Sequence, residues 1–228
     1  MNKKKEFIEF MMDAGVLTFG DFVTKSGRNT PYFVNTGNYK TGKQIATLGR
    51  FYADCIVENM KSGAITQDIA ALFGPAYKGI PIAVSTTIAL SEEFGENIHY
   101  CFNRKEAKDH GEGGTMVGYM PADGDSILIV EDVITAGTAI RECFPVLKAA
   151  ADVNIQGLII SVDRMEKGSG EKTAIQEIYE EFGIKTFPII TVRDILDYIT
   201  EKEQEGHSII NSDVKAKMEK YLDTYCIK

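Results

Sequence analysis

The stretch Ile127-Leu128-Ile129-Val130-Glu131-Asp132-Val133-Ile134-Thr135-Ala136-Gly137-Thr138-Ala139-Ile140 constrains the fold most. Its first four residues, β-branched or leucyl throughout, read as a strand buried on both faces. Two carboxylates close that run. A turn of small and hydroxylated residues follows, and then a helical pattern with Ile140, Phe144 and Leu147 on one face. A strand that feeds a small-residue turn at a helix start makes a phosphate cradle. Unpaired backbone N–H groups point at the anion, and the helix dipole favours it. Gly137 lets the backbone come close, and Thr135 and Thr138 add hydroxyl donors. There is no Gly-Lys-Ser/Thr, which excludes a P-loop, and no Gly-x-Gly-x-x-Gly dinucleotide fingerprint. Adjacent strand residues point to opposite faces, so Glu131 and Asp132 share a ligand only if the chain bends there.

The same alternation recurs along the chain. Residues 3–14 read as an amphipathic helix carrying Phe7, Phe10, Met11 and Ala14. Residues 16–25 and 31–34 flank a Ser26-Gly27-Arg28-Asn29 turn and predict a β-hairpin. A helix over 43–61 precedes a short buried strand over 69–73. The loop Gly74-Pro75-Ala76-Tyr77-Lys78-Gly79 follows, a second candidate anion loop with its own cation, and Pro81 suits the first turn of a helix running to about 93. Residues 98–102 predict a strand, and 115–120 a returning one. Between them, residues 103–114 are polar and glycine-rich, which predicts a mobile segment. Pro145 interrupts the helix after the central motif and predicts a kink. Strands over 157–162 and 186–192 follow, the second placed at a sheet edge by Pro188, with helices over 171–182, 193–203 and about 213–225. Strands alternating with helices imply a doubly wound parallel α/β sheet, whose ligands sit beyond the carboxyl ends of the strands. The candidate loops at 74–79, 131–139 and 163–164 all follow strands.

At 228 residues the chain is long enough for one domain with a real core. Its net charge of −8 argues against nucleic acid and anionic membrane as partners. No apolar run reaches transmembrane length. Glu6 and Glu9 interrupt the apolar core that an export signal would need. Cys55, Cys101, Cys143 and Cys226 lack paired spacing, which suits reduced thiols in a cytoplasmic protein and makes a metal site built from them improbable. Cations concentrate only at 104–110, and a cationic patch in an acidic protein suits a small, highly charged anion.

The buried strand, acidic pair and Thr135-Ala136-Gly137-Thr138 resemble the PRPP-binding motif of the type I phosphoribosyltransferases. Four further segments narrow the likeness. They are Phe19-Gly20-Asp21-Phe22 with Lys25-Ser26-Gly27-Arg28; Phe73-Gly74-Pro75-Ala76-Tyr77-Lys78-Gly79-Ile80-Pro81; Arg104-Lys105-Glu106-Ala107-Lys108-Asp109-His110-Gly111-Glu112-Gly113; and Ser161-Val162-Asp163-Arg164. Together they resemble the orotate phosphoribosyltransferases of the bacterial type over nearly the whole chain. Departures are small: Glu131 where Asp is common, Val34 where an aromatic can stand, and Pro145.

That resemblance implies a single phosphoribosyltransferase domain over 1–228, with a β-hairpin hood from about 1–40 and a catalytic loop at about 103–115. It implies transfer of ribose 5-phosphate from PRPP to orotate, giving orotidine 5′-monophosphate and pyrophosphate in de novo pyrimidine biosynthesis. Glu131 and Asp132 would hold the ribose hydroxyls, and Val133, Ile134, Thr135, Ala136, Gly137, Thr138 and Ala139 the 5′-phosphate. Lys25, Tyr77 and Lys78 would lie near pyrophosphate. Arg104, Lys105, Lys108 and His110 would engage PRPP, some from the neighbouring subunit of a homodimer, with Lys108 and Asp132 as the catalytic pair. Phe33 and Val34 would line the orotate pocket, and Thr135 and Arg164 would contact the base, a guanidinium being suited to its carboxylate. Mg²⁺ would be held mainly by PRPP and water rather than by direct protein ligands. Two alternatives share the central motif: a purine phosphoribosyltransferase, which has no need of Arg164, and a non-catalytic PRPP-sensing regulator, expected to carry a basic segment that this chain lacks. His99 and His207 are read as structural or surface residues.

Overall fold

The computed structural model describes residues 2–24, 27–108, 114–168 and 170–227, with the side chains of all of these but 106–108 and 114. Two compact units emerge. The first comprises Met1–Thr41, Val162–Thr173 and Ile190–Lys228, and the second Gly42–Ser161 and Ala174–Ile189.

The second unit is built on a sheet. Its strands are β3 (Ala71–Phe73), β4 (His99–Lys108), β5 (Gly114–Gly118), β6 (Ser126–Val133), β7 (Asn154–Asp163) and β8 (Thr186–Thr191), in the order β5-β4-β3-β6-β7-β8. The last residues of β7 and β8 run on into the first unit. β3 pairs parallel with both β4 and β6. β6 is central because its sequence permits nothing else. Ile127, Leu128, Ile129 and Val130 are all fully buried, each side chain adding roughly 1.5–3 kcal/mol of apolar burial. Helices α2 (Gly42–Lys61), α3 (Gly79–Ala89), α4 (Thr138–Ala150) and α5 (Ala174–Phe182) belong to this unit. Ile140, Cys143 and Leu147 of α4 and Ile178 of α5 join the core formed by Phe73, Ile127, Ile129, Leu158 and Ile160. Pro145 does not end α4. It lies on the exposed face of the helix.

Two expectations fare differently. Pro188 lies on β8, which is an edge strand as expected. Residues 103–108, expected to belong to an irregular loop, instead continue β4. Asn103 lies opposite Met116 of β5 and Lys108 opposite Gly114, with the register shifted between them.

The first unit holds the hairpin of β1 (Leu17–Val23) and β2 (Asn29–Val34), paired antiparallel, with α1 (Lys3–Asp13), α6 (Val192–Gln204) and α7 (Ser212–Tyr225). Phe7, Met11, Leu17, Tyr32, Ile195, Ile199, Met218 and Leu222 are buried in it. α6 starts at a capping box: Thr191 accepts from the Asp194 N–H, and the Asp194 carboxylate accepts from the Thr191 N–H at 2.7 Å. Lys4 reaches Asp194 at 2.8 Å and Tyr198 donates to Glu9 at 2.7 Å, tying α1 to α6. The first forty residues, expected to form a hood, thus share a unit with α6, α7 and the segment after β7.

Candidate functional site

In the sheet unit, parallel register sets β3 and β6 side by side, with Phe73 opposite Ile129. The loops that leave both strands therefore emerge at the same edge. The β3 loop is drawn tight by two glycines. A Cβ on Gly74 would stand 2.2 Å from the Gly79 carbonyl oxygen, so only glycine fits. Ala76 donates its N–H to Asn103 Oδ1 at 2.9 Å, and the Ala76–Tyr77 peptide is cis. Tyr77 is 71% exposed, and the Lys78 ammonium meets Asp132 Oδ2 of β6 at 2.8 Å.

Glu131 and Asp132 both lie inside β6, at 7% and 5% exposure. Their carbonyls are clamped from two other elements. Tyr52 of α2 donates to the Glu131 carbonyl at 2.7 Å, and Ser161 of β7 to that of Asp132 at 2.5 Å. Asp132 faces Lys78. The Glu131 carboxylate accepts the Asp132 N–H at 3.0 Å and borders a cavity of about 210 Å³. Burial, and then the neighbouring Asp132 charge, push the Glu131 carboxyl up to about 8.

The other walls of the cavity are Val133, Ile134, Thr135, Ala136, Gly137, Thr138, Ala139 and Ile140. Gly137 is left-handed at φ 70° and opens α4, and Thr135 and Thr138 are exposed. The geometry is that of a helix N-terminus preceded by small residues, as an oxyanion requires. Arg141, from the next turn of α4, donates to the Ala136 carbonyl and is itself held by Glu181 at 2.8 Å and Glu177 at 3.3 Å. Arg104 buries its Nε with no hydrogen-bond partner among the described residues. Lys105 pairs with Glu142 at 2.7 Å. The Lys108 side chain, Lys25 and His110 lie outside the described residues.

The first unit carries the other candidates. Phe33 is exposed and stacks on Phe22 with ring centroids 5.5 Å apart, and Val34 sits opposite Leu17 in the hairpin. Arg164 is half-buried. Its Nη2 stands 2.7 Å from Glu166 Oε1 but has no aligned hydrogen bond, and its Nε donates to the Tyr32 hydroxyl at 3.3 Å. Burial opposes the Arg164 charge, yet the Tyr32 and Glu166 oxygens outweigh it and hold its pKa above the ordinary guanidinium value.

Lys78, Asp132, Glu131 and the 133–139 loop are therefore brought together in one unit, and Phe33, Val34 and Arg164 lie in the other. Sequence reading missed Tyr52, Asn103, Arg141, Ser161 and Glu166. Ser161 lay within a quoted segment, and Asn103, Arg141 and Glu166 stood close to residues already singled out, but none was given its role.

Comparison with known proteins follows the same lines. The family described as phosphoribosyl transferase domain matches residues 35–189. The orotate phosphoribosyltransferase of Clostridium beijerinckii is 56% identical over 225 residues, covering 99% of this chain and 98% of that protein. That of Bifidobacterium longum is 46% identical over 96% of this chain and 96% of its own. The crystal structure of orotate phosphoribosyltransferase from Francisella tularensis superposes with a TM-score of 0.82 at 34% identity, covering 97% of this chain and 100% of that one.

Proposed function

The chain belongs to the orotate phosphoribosyltransferase family, and from that premise we propose that it transfers ribose 5-phosphate from PRPP to orotate, yielding orotidine 5′-monophosphate and pyrophosphate. The observation that carries this reading is the cradle formed by Lys78, the buried acid pair and the Gly137 loop at one sheet edge. The 133–139 loop would receive the 5′-phosphate. Glu131 and Asp132 would take the two ribose hydroxyls, with Asp132 paired to Lys78. Lys25, Tyr77, Lys78, Arg104, Lys105, Lys108 and His110 would meet the pyrophosphate end. Phe33, Val34, Thr135 and Arg164 would receive orotate, with Arg164 on its carboxylate.

Chemically, a ring nitrogen of orotate forms a bond to the anomeric carbon as the bond to pyrophosphate breaks. The electron pair of the broken bond leaves on pyrophosphate. Positive charge develops on the ribose ring and negative charge on the departing group. Cations fixed where the negative charge collects stabilise that transition state more than the ground state.

The donor set fits a Mg²⁺ that arrives with PRPP. Among the described residues no three His, Cys, Asp or Glu side chains cluster, and Asp132 is already paired with Lys78. The ion would keep most of its waters and bind through pyrophosphate and ribose oxygens. When bound, it would neutralise pyrophosphate charge. Among the described residues no helix is long and apolar enough to cross a membrane.

Pyrophosphate release from PRPP, measured with orotate, adenine or hypoxanthine and Mg²⁺, tests the assignment. Release with orotate alone is expected. Release with a purine would move the chain to another branch of the phosphoribosyltransferases, and none with any base would favour a PRPP sensor. The homodimer with shared sites has its own test. Lys108→Ala and Asp132→Ala chains, each inactive, are mixed and allowed to exchange subunits. Recovered activity supports sharing. Heterodimers seen by mass spectrometry without activity place Lys108 at its own chain's site.

A further inference from the structure

Among the described non-glycine residues, Met165 alone has a positive φ, at 56°. A side chain with a Cβ disfavours that conformation, and such a residue persists only where its surroundings hold it. Three neighbours do so here. Asp163 Oδ1 accepts the Met165 N–H at 2.7 Å, Ile227 donates its N–H to the Met165 carbonyl at 2.9 Å, and Glu166 and Cys226 form an antiparallel bridge. The segment after β7 is thus strapped by the last residues of the chain.

The left-handed turn has a consequence for the two residues on either side of it. Arg164 and Glu166 come face to face, Nη2 to Oε1, at 2.7 Å. Glu166 Oε1 also accepts from the hydroxyls of Tyr32 at 3.1 Å and Tyr221 at 2.8 Å. Its Oε2 lies 3.7 Å from Arg28 Nη1. One carboxylate therefore faces two guanidinium groups and two phenols, and all five residues are in the first unit. Glu166 and Tyr32 approach the guanidinium of Arg164 from two sides, Glu166 as an ion pair at Nη2 and Tyr32 as a hydrogen-bond acceptor at Nε. Two arginines and one glutamate leave a single net positive charge, which a singly charged carboxylate ligand would neutralise.

We propose that Glu166 is a positioning residue that holds Arg164 in the orientation needed to receive the orotate carboxylate, with residues 225–227 and Tyr221 holding Glu166 in turn. The inference rests on the reading of Arg164 given above and adds its cause. A charge-assisted contact that is already aligned loses less freedom on binding than one that must be assembled.

Steady-state constants for Glu166→Gln and Tyr221→Phe test it, with melting temperature as a check on folding. Glu166→Gln is expected to raise the orotate KM tenfold or more, leave the PRPP KM within twofold of wild type, and lower the preference for orotate over uracil by a similar factor. Tyr221→Phe, which removes one hydroxyl and keeps the ring, should shift the orotate KM severalfold in the same direction and decides the matter should Glu166→Gln fail to fold. A merely structural role would move both substrates together, so a parallel rise in both KM values overturns the proposal, as does an unchanged orotate KM in both variants. A wild-type protein inactive on orotate would overturn the underlying reading and the proposal with it. Wild-type activity with unaltered variants overturns the proposal alone.

Discussion

The loop after β6 and the cluster around Arg164 both suit anions, yet they are made of different material. The loop uses backbone N–H groups, small residues and a helix end, and its partners are fixed by the fold of the sheet. The Arg164 cluster uses side chains, two arginines and two tyrosines arranged about one glutamate. A backbone cradle accepts any phosphate of the right size. A guanidinium whose plane is fixed by neighbours selects one geometry of carboxylate. The loop is therefore suited to the substrate shared by all phosphoribosyltransferases, and the side-chain cluster to the choice of base.

That division breaks most visibly at Arg164. Arg164→Ala removes one partner of a half-buried pair and should cost about 2–5 kcal/mol in kcat/KM for orotate, with PRPP affinity little altered. Calorimetric titration with PRPP alongside orotate kinetics measures both. An equal loss for PRPP would mean that the cluster is not selective. The converse change is Gly74→Ala. Its Cβ would meet the Gly79 carbonyl oxygen at 2.2 Å, a backbone atom that cannot swing aside. Overpacking of this kind costs about 1–3 kcal/mol, and it should appear as a lower melting temperature and a raised PRPP KM. The preference for orotate over uracil should survive. A changed preference would show that the two functions are not separable.

A third test concerns Glu131 and sharpens the description of the loop. Its carboxyl is raised from the ordinary 4.5 to about 8 by burial and by Asp132. Between those values the folded protein keeps a proton that the unfolded chain has released. The stability from this group is full below about 4.5 and is lost as pH rises through about 8. One proton gives a slope of at most about 1.4 kcal/mol per pH unit. Urea unfolding between pH 5.5 and 8.5 should show wild type losing stability relative to Glu131→Gln. Parallel curves would mean that Glu131 is ionised throughout.

Much of this was legible in the sequence, for identifiable reasons. Ile127 to Val130 could only be a buried strand, and the small residues beyond the acids a loop at a helix start, while the acids themselves continue β6. Pro188 placed β8 at an edge because proline cannot donate to a ladder. Residues 103–108 misled because a strand made of Asn, Arg, Lys and Glu shows no apolar alternation. Its pairing with β5 is a property of the ladder, not of composition. The clamps on the acid pair were invisible for another reason. Tyr52 and Ser161 lie 79 and 29 residues from the carbonyls they hold, and nothing local marks that contact. Glu166 stood two places from Arg164, but its significance comes from Tyr32 and Tyr221, which only the fold brings to it.

The central claim is that a carboxylate decides the base. The most direct measurement is wild-type kcat/KM for orotate against uracil, under the same PRPP and Mg²⁺. Uracil lacks only the carboxylate that Arg164 is proposed to receive. A contribution of about 2–5 kcal/mol from that pair corresponds to a preference from about thirtyfold to several thousandfold. The account predicts a ratio within or above that range. Equal use of orotate and uracil would contradict it.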